Sequence, residues 1–328
     1  MLSLIIEIQS GLVRGIIVKK GSHKPEILAR HSVSIVSIDK TSAYLTKIML
    51  RAVSDVARHL THKHFVESVH VVLSSPWALS HSKAVEMNFS KDTVIDSKMI
   101  YSIVDEDKNT ANVHKDLMFI EKKIFEVKLN GYVVQNYEDK PTRKLNISFA
   151  TTLSSRNLLY KIHTSLEQAF KIQKIQYHSG LLLDYISLST FFADKNDYVY
   201  IHAHSEITDV VMVQSSVCTD ISAFPMGTAT LAKNIPESLL NMVDKDTISK
   251  TELSRLSPAL NNYFGEWFAQ INSLIDMKSA PRYVYVSTHS FLNIFKKRLE
   301  EALGKGYHIH NFEPDTMEMY SIALQDML

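Results

Sequence analysis

Twice along this chain, apolar strand-length runs meet across a short polar turn and are followed by the same sequence of elements. Residues 2–9 (LSLIIEIQ) and 12–18 (LVRGIIV) flank Ser10-Gly11, which reads as a two-residue hairpin turn. Residues 198–204, 208–214 and 217–224 form a second meander, whose centre is YIHAHSEITDVVMV from Tyr200 to Val213. Each meander leads into a helix and then a later strand, at 68–74 (SVHVVLS) in the first case and 282–287 (RYVYVS) in the second. An internal duplication of this kind constrains the fold more than any single motif. It predicts an α/β chain of two βββαβα lobes.

The intervening elements fit that outline. Glu26 to Ile38 alternates as a third strand, and Tyr44, Leu45, Ile48, Met49, Ala52, Val53, Val56, Ala57 and Leu60 form a helical stripe. The middle of the chain differs in character. A short strand at Val85 to Phe89 and a polar helix from Asp96 to Asn109 precede a long hairpin, Leu117 to Val134, pivoting on Asn130-Gly131. A strand from Lys144 to Thr152 leads to a helix capped by Ser154 or Ser155. Ile172 to Tyr177 and a helix from Gly180 to Phe192 return to the first lobe, and the polar Ala193 to Asp197 marks the boundary to the second. There, Gly227 to Ile235 begins a helix, Pro258 to Met277 is a long amphipathic one, and Phe291 to Leu303 and Pro314 to Leu328 follow.

Length and composition exclude several classes. At 328 residues the chain exceeds one ordinary core. With 36 Lys plus Arg against 35 Asp plus Glu, the net charge of +1 argues against a nucleic-acid partner. Cys218 is the sole cysteine, which excludes an internal disulfide and fits a reducing cytoplasm. No apolar run reaches membrane-spanning length, and Met1 to Val18 lacks the cationic head of a signal peptide. Only 9 glycines occur, where average usage of about 7% would give roughly 23. Glycine-rich phosphate loops are nearly excluded by that count.

The two halves and the inserted middle resemble the actin-like (ribonuclease-H-like) ATPase superfamily, and within it the FtsA and PilM branch. EIQSGLVRGIIV (Glu7 to Val18) is similar to the first phosphate strand pair, and VHVVLSSPWALSHS (Val69 to Ser82) sits where that family enters its inserted subdomain. IEKKIFEVKLNGYVVQNY (Ile120 to Tyr137) resembles the subdomain's central hairpin. YIHAHSEITDVVMV, FPMG (Phe224 to Gly227) and VYVSTHS (Val284 to Ser290) fall at the second phosphate loop, the loop before the next helix, and the adenosine loop. The resemblance implies a first lobe over 1–83 and 172–196, an α+β subdomain of FtsA type over 84–171, and a second lobe over 197–328 with a reduced helical part near 236–278.

It also implies where nucleotide chemistry should sit, and those positions depart from the family pattern. Glu7 is acceptable at the first turn, but Gln9 replaces a glycine. His202 replaces the acid that would organise Mg²⁺ and water, and His204, Ser205 and Glu206 replace the glycines of the second turn. Thr288 and His289 replace a glycine pair at the adenosine loop. Backbone N–H groups reach a phosphate only where no Cβ intrudes, and imidazole is a poor ligand for Mg²⁺. The expectation is a pseudo-ATPase with no catalytic residue, no metal and no cofactor. Were ATP and Mg²⁺ to bind under the alternative of a rewired ATPase, the positions to hold them are Glu7, Ser10, Gly11, Ser205, Asp209, Gly227, Thr228 and Ser287.

Other constellations have plainer readings. His202 and His204 at i and i+2 share a strand face and could reach one ion, but His62/His64 and His308/His310 repeat that spacing without a third ligand. Cys218 reads as a small core residue, and Tyr263, Phe264, Trp267 and Phe268 as a stripe packed on the second sheet. By family analogy the chain is expected to be cytoplasmic, acting as a scaffold or adaptor in cell division or in pilus or secretion assembly. Its partners would be proteins, such as the cytoplasmic tail of a membrane protein, a filament-forming protein or a second copy, with membrane contact only indirect.

Overall fold

The computed structural model describes residues 2–21, 24–35, 42–62, 64–106, 116–169, 174–192, 195–288, 290–312, 316–325 and 327. In chain order the first part runs β1 (Leu2–Ile8), β2 (Leu12–Lys19), β3 (Glu26–Ser34), α1 (Ser42–Thr61) and β4 (Ser68–Leu73). An insert follows, with β5 (Ala78–Ile95), α2 (Ser97–Glu106), β6 (Leu117–Leu129), β7 (Tyr132–Val133) and β8 (Lys140–Ser155). The chain returns through α3 (Arg156–Ala169), β9 (Ile175–Ser179) and α4 (Gly180–Phe191). The second part begins with β10 (Tyr198–Ala203), β11 (Thr208–Gln214), β12 (Val217–Phe224), α5 (Thr228–Asn234), α6 (Glu237–Asp244) and α7 (Lys250–Leu274). It ends with β13 (Tyr283–Thr288), α8 (Leu292–Leu303), β14 (His308–Asn311) and α9 (Thr316–Ala323).

The duplication is explicit in the sheets. One has the order β3-β2-β1-β4-β9 and the other β12-β11-β10-β13-β14, so equivalent strands occupy equivalent places. In each, the meander is antiparallel and the two later strands join in parallel. Strand alternation sends side chains to both faces. Leu4, Ile6 and Ile8 of β1 meet Val53, Val56 and Ile162 of α1 and α3, while Ile5 meets Leu183 of α4 and Met317 of α9. That is why β1 reads as one continuous apolar run.

Helix α4 (GLLLDYISLSTF) is apolar around most of its circumference because it lies between the sheets. Leu182, Tyr185 and Leu188 pack with Tyr198, Tyr200 and Val211 of the second sheet, whereas Leu183 packs with Ile5, Ile16 and Val72 of the first. Met317, Tyr320 and Leu324 join the latter cluster from the end of the chain. The two lobes therefore share a middle helical layer.

The insert differs from its sequence reading. Asn130 and Gly131 do form the turn, both at positive φ (51° and 87°). However, β7 holds only two residues, and the long partner of β6 is β8, paired from Leu117↔Ser155 to Leu129↔Leu145 with register shifts at Phe119/Glu121 and Ile124/Glu126. The expected strand at Val85 to Phe89 is a segment of the much longer β5, and β8 extends beyond 144–152 at both ends. Much of β5 alternates between half-buried and exposed, so backbone pairing holds it where apolar pattern is weak.

Helix α7 likewise begins before Pro258. Ser249 is its N-cap, accepting the Glu252 N–H at 3.2 Å while its hydroxyl donates to the Glu252 carboxylate at 2.6 Å. Pro258 is carried inside the helix, and α6 is not apparent in the sequence. The aromatic stripe of α7 is core: Trp267 is fully buried and its indole N–H donates to Thr208 Oγ1 at 3.0 Å. Cys218 is buried near the start of β12, and burial with the Asp220 charge pushes its thiol up to about 12. The expected ends at Ile38, Asn109, Ile172, Ala193, Pro314 and Leu328 lie outside the described residues, as does His289.

One buried pair makes stability pH-dependent. His70 of β4 and His178 of β9 share a 3.1 Å Nδ1–Nε2 contact, and burial, with Lys174 near His70 and the neighbouring ring near His178, holds both at about 4. Because these values lie below the ordinary imidazole range, the unfolded chain takes up protons first as pH falls. Stability is complete above pH 6.5 and lost as pH falls toward 4, by up to about 3 kcal/mol per ring. Urea unfolding across this range checks it: a His70→Phe/His178→Leu variant should lose most of the slope.

Candidate functional site

The two hairpin turns close on each other. At the first, the Gln9 N–H donates to the Leu12 carbonyl at 2.9 Å, and the Ile35 N–H donates to the Gly11 carbonyl at 2.8 Å. At the second, the His204 N–H donates to the Ile207 carbonyl at 2.9 Å. A Cβ at Gly11 would stand 3.0 Å from Ser205 Cβ and 3.3 Å from its Oγ. Turn therefore abuts turn at Gly11 and Ser205.

Behind the second turn, the first N–H groups of α5 are already occupied. Thr228 N–H donates to the His204 carbonyl at 2.9 Å, and Ala229 N–H to the Ser205 carbonyl at 2.8 Å. Gly227 makes this possible, since a Cβ there would fall 2.3 Å from the His204 oxygen and 2.6 Å from the Ser205 oxygen. Donors that could face an anion are spent on the turn instead.

The carboxylates are spent as well. Glu7 of β1 is buried and held by Arg14, its cross-strand partner on β2, and by Gln9 Nε2 at 2.8 Å. Burial pushes this carboxyl up, but the Arg14 charge and the hydrogen bonds from Arg14 and Gln9 outweigh it and hold it below its usual range. Asp184 of α4 accepts from Tyr320 at 2.8 Å, Tyr200 at 2.9 Å and His202 Nδ1 at 3.1 Å. Tyr320 also lies 3.3 Å from Glu7, joining the two acids. Asp209 of β11 accepts from Ser75 at 2.8 Å, across from the first lobe, and from His204 Nε2 at 2.9 Å.

The imidazoles of His202 and His204 stack at 3.8 Å between ring centres. Burial, then the neighbouring His204, lowers His202 and favours the neutral ring, although Asp184 pulls the other way. With its Nε2–H directed at Asp209, His204 has Nδ1 free as an acceptor. That nitrogen and Ser10 Oγ are buried without a hydrogen-bond partner. Among the described residues no group of three or more His, Cys, Asp or Glu is placed to hold a metal ion.

The structure thus gathers the sequence-derived positions around one interlobe seam. Glu7, Ser10 and Gly11 come from the first hairpin, Ser205 and Asp209 from the second, and Gly227 and Thr228 from the start of α5. Ser287 of β13 stands beside His202 in the parallel register. Sequence reasoning missed Arg14, Ser75, Asp184, Tyr200 and Tyr320. Asp184 carried a signal, being the single charge in an apolar helix, whereas Tyr320 is brought in from the far end of the chain. In this arrangement the turns touch, the Thr228 and Ala229 N–H groups are used within the protein, and Glu7, Asp184 and Asp209 each accept from protein donors.

No family model matches the chain, and no curated protein matches it in sequence. Its structure is similar to a chain of a PilM–PilN type IV pilus biogenesis complex, with a TM-score of 0.66 at 12% identity over 98% of this chain and 96% of that one. It also aligns with a Bacteroides thetaiotaomicron protein of actin-like ATPase fold and unknown function (TM-score 0.47, 8% identity, 98% and 95% covered). A third is the cytoplasmic domain of EpsL, an inner membrane component of the type II secretion system of Vibrio cholerae (TM-score 0.45, 8% identity, 99% and 95% covered). The fold is the two-lobed actin-like α/β fold that the duplicated sequence predicts.

Proposed function

We propose that the protein is a non-catalytic actin-like scaffold that works through protein–protein contacts in a pilus or secretion assembly, peripheral to the cytoplasmic membrane through a partner. The observation that supports this reading is the self-satisfied seam, in which Glu7, Asp184 and Asp209 hold protein donors where a nucleotide site would hold metal and phosphate. An actin-like fold that keeps its lobes but commits its cleft to internal bonds serves as a rigid surface. The pilus side of the proposal draws on the likeness to the PilM–PilN chain; cell division, suggested by the FtsA resemblance, is the neighbouring possibility.

A rewired nucleotide site has one observation in its favour, the unpartnered Ser10 Oγ and His204 Nδ1. Thermal unfolding with Mg-ATP separates the two. A ligand at 100 times its Kd stabilises by about 2.7 kcal/mol, a shift of several degrees for a chain of this size. The expected shift is none. A clear, saturable rise in Tm that Ser10→Ala weakens would overturn the scaffold reading in favour of a working nucleotide site.

A further inference from the structure

The outward side of α1 carries a stripe that the interlobe seam does not use. At 3.6 residues per turn, Tyr44, Lys47, Arg51, Arg58 and His62 fall on one side of the helix, opposite the buried Met49, Val53, Val56 and Leu60. All five are exposed, and Asp55 is the acid among them. From Lys47 to His62 the stripe is about 22 Å long at 1.5 Å per residue.

Shallow grooves flank it. One, of about 740 Å³, lies toward β3 and is lined by Arg30, His31, Arg58, His59, His62 and His64. The other, of about 490 Å³, lies toward α3 and includes Lys47, Arg51 and Lys161. Both include Asp55 and Arg58, so the two grooves meet along α1, and the fixed positive charges are Arg30, Lys47, Arg51, Arg58 and Lys161. Among the described residues Lys47, Arg51, Arg58 and Lys161 make no ion pair. The Glu167 carboxylate of α3 stands 3.1 Å from His163 Nε2.

Exposed aromatic rings adjoin groove-lining residues in the sequence, Phe65 beside His64 and Tyr160 beside Lys161. Phe65, just beyond α1, is 82% exposed, and Tyr160 of α3 is 70% exposed. Tyr44 stands at the start of the stripe. The Phe65 and Tyr160 rings are both open to solvent. Cations attract anionic headgroups while aromatic rings settle at the boundary with the acyl chains.

We propose that this face of the first lobe docks directly on an anionic lipid surface. A peptide lying in either groove would leave Phe65 or Tyr160 in water, because the two rings belong to different segments and stand outside the grooves. A broad anionic boundary engages the stripe and exposed rings outside the grooves alike. Sequence reasoning expects membrane contact only through a partner. The stripe adds a direct contact that was hidden because its charges come from three separated segments, 30–31, 47–62 and 161, of a nearly neutral chain.

Flotation of the full chain with vesicles tests this independently of any nucleotide or protein partner. The protein should float with phosphatidylcholine vesicles containing phosphatidylglycerol and not with phosphatidylcholine alone, and should be released as salt rises. Lys47→Glu/Arg51→Glu/Arg58→Glu should weaken partitioning by about 100-fold or more, at roughly fivefold for each basic side chain removed from the stripe. Phe65→Ser should weaken it further even at low salt. If the triple variant melts differently from the parent, Lys47→Gln and Arg51→Gln are read instead, each with a severalfold loss. Equal flotation with both vesicle types, or no loss in the charge variants, overturns the proposal. So does a stripe-dependent affinity for polyglutamate or single-stranded nucleic acid without vesicle binding, which would assign the face to an acidic polymer.

Discussion

Replacing Arg14 with alanine is expected to destabilise the protein by about 3–5 kcal/mol. Arg14 stands opposite Glu7 across β1 and β2, and Glu7 has no exposure to solvent. Removing the guanidinium leaves a buried carboxylate with only Gln9 and the shared Tyr320 hydroxyl. The cost arises from the charge left behind more than from the bond removed. A Glu7→Gln/Arg14→Met double variant should therefore recover most of the loss. Urea unfolding of the two variants measures the difference. A single Arg14→Ala variant as stable as the parent would mean that Glu7 is not held as an anion.

A second large effect is expected at Trp267. The indole meets Phe295 at 5.1 Å, Phe264 at 6.0 Å and Phe224 at 6.4 Å between ring centres, and bonds Thr208. Truncation to alanine should cost about 3–5 kcal/mol, the loss of a large buried ring plus the cavity it leaves. Trp267→Phe should cost less, because Thr208 Oγ1 still donates to the Met226 carbonyl at 2.6 Å. Were this stripe a partner groove, alanine would weaken binding and leave Tm unchanged. A thermal melt of the isolated protein distinguishes the two outcomes.

What could be read in the sequence follows from where each signal arises. The two meanders were legible because strands covered on both faces are apolar throughout, and β1 and β10 are such strands. The insert was less legible, since β5 alternates between half-buried and exposed residues and takes its order from backbone pairing with β8. Pro258 obscured the start of α7 because a proline is disfavoured inside a helix, whereas the N-cap at Ser249 sets this one. At the seam, loss of glycine in the turns was visible residue by residue. What replaced the lost chemistry was not, because Asp184, Tyr200 and Tyr320 converge from a helix, a strand and the last helix. Three-dimensional convergence leaves no local pattern.

The shared middle layer also dictates when this protein can fold. Met317, Tyr320 and Leu324 close the inner face of a sheet whose first strands are residues 2–19. A ribosome releases those strands long before α9, so until then Ile5, Ile16 and Val72 are covered on that face only in part, by Leu183 of α4. Such distant closure slows folding and prolongs exposure of strand surface. The first lobe therefore completes its inner face only after the second has been made.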